Sequence, residues 1–269
     1  RDSVNQGLAD YTPVSLSEVP KLIRNGSVQI DVALVHTSLP DQHGYLSLGI
    51  SVDMVKTAAD HASVIIAQVN ANMPRIHGDG FIHIKDVDFI IPHDEPLLEI
   101  PGIELNEATQ RIGNYVSRLV QDGDTIQVGF GGLPNAVMAN LFEKKHLGVH
   151  TELLSDGLVE LMKAGVIDNS QKSLNPGCAV AAFSMGNKST YEYLNDNPSI
   201  LFRTIDYTNN PLNIARQKNM VAINSALEID LTGQATSDSI GGMFYSGVGG
   251  HQDFMRGAVL AEGGRTILA

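Results

Sequence analysis

The residues best placed to do chemistry are one glutamate and three clusters of glycine and polar side chains. Glu228 lies within Met220-Val-Ala-Ile-Asn-Ser-Ala-Leu-Glu-Ile-Asp-Leu-Thr-Gly-Gln234, which alternates with period 2. Val221, Ile223, Leu227, Ile229 and Leu231 fall on one face, with Ser225 its polar member; Ala222, Asn224, Ala226, Glu228 and Asp230 fall on the other. Read as one strand, the stretch projects Glu228 from a rigid element on a face whose upstream neighbours are small. Such a face receives a flat ligand group as readily as water. A carboxylate there can act as general base, metal ligand or nucleophile, and the ordinary alternative is a solvated side chain on a sheet face.

The first glycine cluster, Gly129-Phe-Gly-Gly-Leu-Pro134, follows the strand-like run Thr125-Ile-Gln-Val. A dinucleotide fingerprint needs glycine where this chain has Pro134, and no Gly-Lys-Ser/Thr ending marks a P-loop. What remains at Gly129, Gly131 and Gly132 is a strand, a tight turn and a helix start. Such an arrangement offers free N–H groups to a carboxylate, phosphate or thioester oxygen, or forms a βα turn with no ligand. The second cluster, Ser246-Gly-Val-Gly-Gly-His-Gln-Asp-Phe-Met-Arg-Gly257, lets backbone approach a ligand at Gly249 and Gly250. Asp253 is expected to cap a helix over 254–261. The third is Arg203-Thr-Ile-Asp-Tyr-Thr-Asn-Asn-Pro211, where a strand over 200–205 ends in a polar group. Asp206, Thr208 and Asn209 suit a ligand at a strand C-terminus, or plain turn chemistry before Pro211.

The elements that must position these groups alternate. Strands are expected over 29–36, 62–69, 125–129, 178–183 and 265–269, with an extended segment over 81–91. Helices are expected within 10–24 (capped by Ser15 or Ser17), over 53–61, 107–121, 135–143 and 157–164. The 107–121 helix shows Ile112, Val116, Leu119 and Val120 on one face. Such alternation implies an α/β fold with two similar open, mainly parallel sheets and helices on both faces. Three prolines and four acids over 92–106 place a linker at 96–106. Residues 1–95 then read as the C-terminal part of a first α/β domain, and 107–269 as a second, truncated at its end.

Composition sets the outer bounds. With 269 residues, 43% hydrophobic and 18% charged, the chain can bury a sizeable core, and no apolar run is long enough to span a membrane. The net charge of −12 argues against nucleic acid or an anionic membrane as partner. A small anionic ligand remains compatible, held by local N–H groups. Cys178 is alone, which excludes an intrachain disulfide and suggests a reducing compartment such as the cytoplasm. The nine histidines show no metal-ligand spacing: His146 and His150 are separated by Gly148 and Val149, and no His-Glu-x-x-His occurs. No metal site is expected.

Several stretches together resemble the acetyl-CoA hydrolase/transferase family, especially its 4-hydroxybutyrate CoA-transferase members. They are residues 223–234, Gln-Val-Gly-Phe-Gly-Gly-Leu-Pro-Asn-Ala-Val (127–137), His-Thr-Glu-Leu-Leu-Ser-Asp-Gly (150–157), Gly-Val-Gly-Gly-His-Gln-Asp-Phe (247–254) and Asp-Gln-His-Gly-Tyr-Leu-Ser-Leu-Gly (41–49). The resemblance implies a CoA-transferase fold with the active site between two domains, and Glu228 as the nucleophile of a ping-pong reaction through a glutamyl-CoA thioester. It further implies that Ile205, Asp206, Tyr207, Thr208 and Asn209 contact CoA, with a backbone N–H there serving an oxyanion hole. Gly129, Gly131, Gly132, Gly249 and Gly250 would line the acyl and thioester site. Coenzyme A and acyl-CoA are substrates in this reading, with no resident cofactor, a short-chain carboxylate as acceptor and a homodimer as the assembly. Family chains are longer, so a fragment is expected. A hydrolase using water as acceptor, and a CoA-binding module without turnover, are the competing readings.

Overall fold

The computed structural model describes residues 2–101 and 105–269. In the first sheet, β1 (Val32–Thr37), β2 (Val64–Val69) and β3 (Phe89–Pro92) run parallel with β2 in the centre. Val35 lies opposite Ala67, which lies opposite Ile90. Helix α1 (Val55–His61) makes the connection between β1 and β2 and buries Thr57 and Ala59. One face of the sheet, with Ala33, Val35, Ile65, Ala67 and Val69, is core. On the other, Leu34 is 77% and Phe89 60% exposed. Helices were expected on both faces, yet among the described residues this face is open, although parallel sheets are normally covered on both sides.

The second sheet consists of β4 (Thr125–Val128), β5 (Gly148–Val149), β6 (Met220–Asn224) and β7 (Arg265–Leu268). Its spatial order is β7-β6-β4-β5 and every pairing is parallel. Both faces of β6 are buried, so the alternation read in the sequence separates two cores rather than core from solvent. Val221 and Ile223 join the large core; Met220 and Ala222 join a smaller one with Ile214, Phe254 and Ala258.

Helix α2 (Glu107–Ser117) starts at Asn106, whose side chain accepts the Thr109 N–H at 2.8 Å. It packs on α3 (Gly132–Ala139) through Gly113, where a Cβ would lie 2.6 Å from Ala136 backbone. That close crossing rotates the buried stripe. Val116 and Val120 are inside as expected, but Ile112 and Leu119 are 41% and 53% exposed. The expected strand over 200–205 ends at Phe202, and a helical turn, α4 (Ile205–Thr208), follows. Two further helices, α5 (Pro211–Ala215) and α6 (His251–Leu260), cover the small core. The extended segment expected over 81–91 is broken by a 3-10 turn at Ile84–Asp86.

The early and late parts of the chain are knitted together. The strand His77–Gly78 pairs with Ile200–Phe202, which pairs with Ala179–Ala181. The Val52 and Asp53 N–H groups both donate to the Ala182 carbonyl, and one buried cluster runs from Ala33 to Ile223. The stretch expected as a linker is anchored where it is described: Tyr191 Oη donates to the Leu98 carbonyl at 2.9 Å, and the Ile100 N–H to that of Gly186 at 3.2 Å. Residues 102–104 of that stretch lie outside the described residues.

Candidate active site at the ends of β4 and β6

The order β7-β6-β4-β5 reverses between β4 and β6: the chain leaves β4 toward β5 on one side and later returns to β6 on the other. Loops at the C-terminal ends of two such strands diverge and open a crevice, where ligands of open α/β sheets sit. The two strand ends are tied by reciprocal amide hydrogen bonds between the buried Gln127 and Asn224 side chains, at 3.1 and 2.9 Å. The Gly129 N–H donates to the Ile223 carbonyl at 2.9 Å. A Cβ on Gly129 would stand 3.2 Å from Asn224 Oδ1, so the residue type permits the close approach. Gly131, at φ +128°, is the N-cap of α3, and Gly132 is the first residue of that helix. This helix starts three residues before the expected Asn135.

Glu228 is not on the strand assigned to it. Strand β6 stops at Asn224, and Glu228–Ile229 pairs antiparallel with Ala235–Thr236 as a small hairpin. Asp230 makes the hairpin turn: its side chain accepts the N–H groups of Thr232 and Gln234, and this Asx-type turn reverses the chain. Glu228 is exposed, and its Oε2 accepts the Gly241 N–H at 3.1 Å. Among the described residues it has no cationic partner and no hydrogen bond to Ile205–Asn209 or to Gly249 and Gly250.

The third cluster is helical. Ile205, Thr208 and Asn209 are fully buried. The N–H groups of Ile205, Tyr207, Thr208 and Asn209 donate to the carbonyls of Asp53, Thr204, Thr204 and Ile205 respectively. Three of these N–H groups thus close the turn itself and that of Ile205 ties it to Asp53. Asp206 bonds to Arg24 Nη1 at 2.6 Å. Burial pushes its carboxyl up, but the Arg24 bond and charge and the Thr204 hydroxyl outweigh that and hold it below the usual carboxylate range. Tyr207 donates its hydroxyl to Asn175 Oδ1 at 3.0 Å under the Arg203 guanidinium.

Asn209 and Gly250 are brought together, while Gly249 faces open space. Gly250 is the N-cap of α6, which begins at His251 rather than at residue 254. Asp253 is therefore not its cap. It lies in the first turn, 2% exposed, and accepts the N–H and hydroxyl of Ser17 at 3.2 and 2.8 Å. Burial raises the Asp253 carboxyl above the usual range, with the Ser17 bonds opposing. Of the two serines offered above as a helix cap, Ser15 is the N-cap of the 3-10 turn Leu16–Glu18, without a side-chain cap bond, and Ser17 is a strut between the N-terminal segment and α6. Nearby, the Tyr11 hydroxyl accepts the Val248 N–H at 2.7 Å, and Asn5 exchanges two hydrogen bonds with the backbone of Phe244.

Two side chains from the 150–157 segment complete the surroundings, and their types in sequence gave no sign of a role. His150 is fully buried. Its Nε2 is 2.8 Å from the Thr208 carbonyl, so that nitrogen carries the proton. Burial, then the charge of Lys172, lowers it to about 3, so the ring is neutral. Glu152 accepts from Asn209 Nδ2 at 2.6 Å. Burial raises its carboxyl and the charges of Asp253 and Asp53 add to that, against the Asn209 and Gly250 hydrogen bonds. Among the described residues no group of three His, Cys, Asp or Glu side chains could hold a metal ion, and no helix is long and apolar enough to cross a membrane.

Comparison with known proteins gives this crevice a lineage. Residues 1–100 match the model of the acetyl-CoA hydrolase/transferase N-terminal domain, and residues 186–269 match that of its C-terminal domain. The chain belongs to the acetyl-CoA hydrolase/transferase family. A 4-hydroxybutyrate coenzyme A transferase of Clostridium kluyveri is 49% identical over 269 residues, all of this chain and 63% of that protein. RipA from Yersinia pestis superposes with a TM-score of 0.93 at 40% identity, over 100% of this chain and 62% of its own. A 4-hydroxybutyrate CoA-transferase from Porphyromonas gingivalis does so at 0.85 and 42%, over 94% and 61%. The chain thus spans about three fifths of the length of these relatives. The mixed α/β architecture with mainly parallel sheets is that of this family.

Proposed function

We propose that the protein is a CoA-transferase that moves CoA from an acyl-CoA to a short-chain carboxylate such as 4-hydroxybutyrate, butyrate, acetate or succinate, with Glu228 as the nucleophile. The reading is carried by one observation: an exposed glutamate without a cationic partner among the described residues, four residues past the buried strand β6, at the switch point of a parallel sheet. The names of the family relatives supply the substrate class. In the proposed course a Glu228 oxygen attacks the acyl carbonyl, and the C–S bond breaks to give an acyl-glutamyl anhydride and CoA thiolate. The thiolate attacks the Glu228 carbonyl, forming the glutamyl-CoA thioester and releasing the first carboxylate. The acceptor carboxylate repeats the two steps in reverse and restores Glu228. No oxidant, metal or resident cofactor enters the balance.

In the same reading the glycine turn at 129–132 and the loop at 247–250 line the thioester site, and Ile205–Asn209 lies along CoA. Residues 1–95 and 107–269 are parts of the two domains, and the working protein is a cytoplasmic homodimer. Incubating the protein with acyl-CoA and then borohydride tests the chemistry. Reduction of a thioester should change the mass of the peptide containing Glu228, and an unaltered peptide refutes the nucleophile. Release of free CoA at equal rates with and without added acetate would identify water as the acceptor and refute the transferase.

A further inference from the structure

We infer that Glu152 is a positioning residue, clamping the turn at Ile205–Asn209 to the glycine loop at Gly250; what the clamp serves rests on the CoA-transferase reading. Asn209 supplies half of the geometry. Its side chain is fully buried and its polar atoms are used: Nδ2 donates to Glu152 Oε2 at 2.6 Å, while Oδ1 accepts the Thr208 hydroxyl at 3.0 Å. Gly250 supplies the other half. A Cβ there would collide with Glu152 Oε2 and Asn209 Nδ2 at once, so the glycine backbone lies directly against the pair.

The conformation of Gly250, φ −82° and ψ −1°, is open to any residue. Glycine is therefore needed for the close approach of the Glu152–Asn209 pair and not for backbone strain. Glu152 is itself anchored, because its carbonyl accepts the Ala182 and Phe183 N–H groups at 2.9 and 3.2 Å. One carboxylate, on a residue fixed to the sheet, thus bonds the first segment through Asn209 and packs against the second at Gly250. Glu152 touches no reacting atom in this scheme. It sets the separation of the two backbone segments that the proposed function places along CoA and at the thioester.

Hydrogen exchange and CoA affinity, measured on the full chain, test the clamp. Glu152→Ala should speed amide exchange in both 205–209 and 247–251 by roughly tenfold or more and weaken CoA binding by about the same factor, the loss of one charge-assisted bond and its buried partner. Glu152→Gln keeps the size and one acceptor oxygen and should recover most of both. Gly250→Ala leaves Glu152 in place and drives the pair apart, so it should also speed exchange in the 205–209 turn. Unchanged exchange at 205–209 in either Glu152→Ala or Gly250→Ala overturns the clamp, as does a Glu152→Gln protein no better than Glu152→Ala. If the wild type does not bind CoA, the transferase reading fails, and the exchange arms still decide the clamp.

Discussion

Lys172 gives the sharpest physical test of how this core is wired. Its side chain is 5% exposed, and Nζ donates to the carbonyls of Val149 at 2.7 Å and Cys178 at 2.6 Å. A neutral amine has two N–H groups and meets two acceptors; the ammonium form has a third N–H and a charge to bury. Burial accordingly lowers the group from 10.5 to about 7, with Cys178 opposing. A lysine depressed on folding penalises the folded state below the folded pKa, and the penalty fades as pH climbs toward the unfolded pKa. Each unit is worth about 1.4 kcal/mol. Integrating the proton difference, stability should rise by about 2 kcal/mol between about pH 7 and about pH 9 from this residue alone. Urea unfolding of wild type and Lys172→Met across that range is the assay. The wild type should gain about 2 kcal/mol relative to the variant on going from the lower to the higher pH. Parallel pH dependences for the two proteins would refute the reasoning, because they would mean that Lys172 stays charged while buried.

Three other outcomes follow from the same structure. Glu228→Gln should abolish thioester formation in the borohydride trap while changing stability by less than about 0.5 kcal/mol, since the side chain is exposed. Gly257→Ala places a Cβ 2.5 Å from Ile214 Cγ2 and 3.0 Å from the Pro211 carbonyl, and should cost about 1–3 kcal/mol in denaturant melts by pushing α6 off α5. Arg265→Ala removes the guanidinium 2.5 Å from the 2% exposed Asp124, leaving that carboxylate only the Gln121 N–H, and should cost about 1–3 kcal/mol, read in the same melts.

Much of the scaffold was legible because hydrophobic period and turn residues speak locally. The runs at 32–37, 64–69 and 125–128 are β-branched and flanked by breakers, and they form the parallel strands expected of them. Gly129 and Gly131 were legible for the same reason: a turn between strand and helix leaves few residue types available. The hairpin of Glu228 was not. Its alternation continues unbroken from 220 to 231, and only the end of pairing with β4 and β7 stops the strand, before the side-chain bonds of Asp230 turn the hairpin. Asp253, Ser17 and Glu152 were misread or passed over because their partners lie far away in sequence, and a buried carboxylate looks like a helix cap or a wet side chain until those partners are known. Ile112 and Leu119 were misjudged because the missing side chain of Gly113, rather than an apolar stripe, decides where α2 meets α3.

The position of Glu228 has a consequence for how such a chain can diversify. The distance between the glycine turn and the start of the hairpin is fixed by two adjacent strands, which lie about 4.8 Å apart, and by the Gln127–Asn224 amide pair. The exposed hairpins between 228 and 245 are attached on the far side of that fixed point. Glu228 itself pairs with Thr236 and its carboxylate accepts the Gly241 N–H, so insertions and substitutions there would shift the carboxylate along with the surrounding loops. Under the proposed function, acceptor choice and the placement of Glu228 would then change together as these hairpins change.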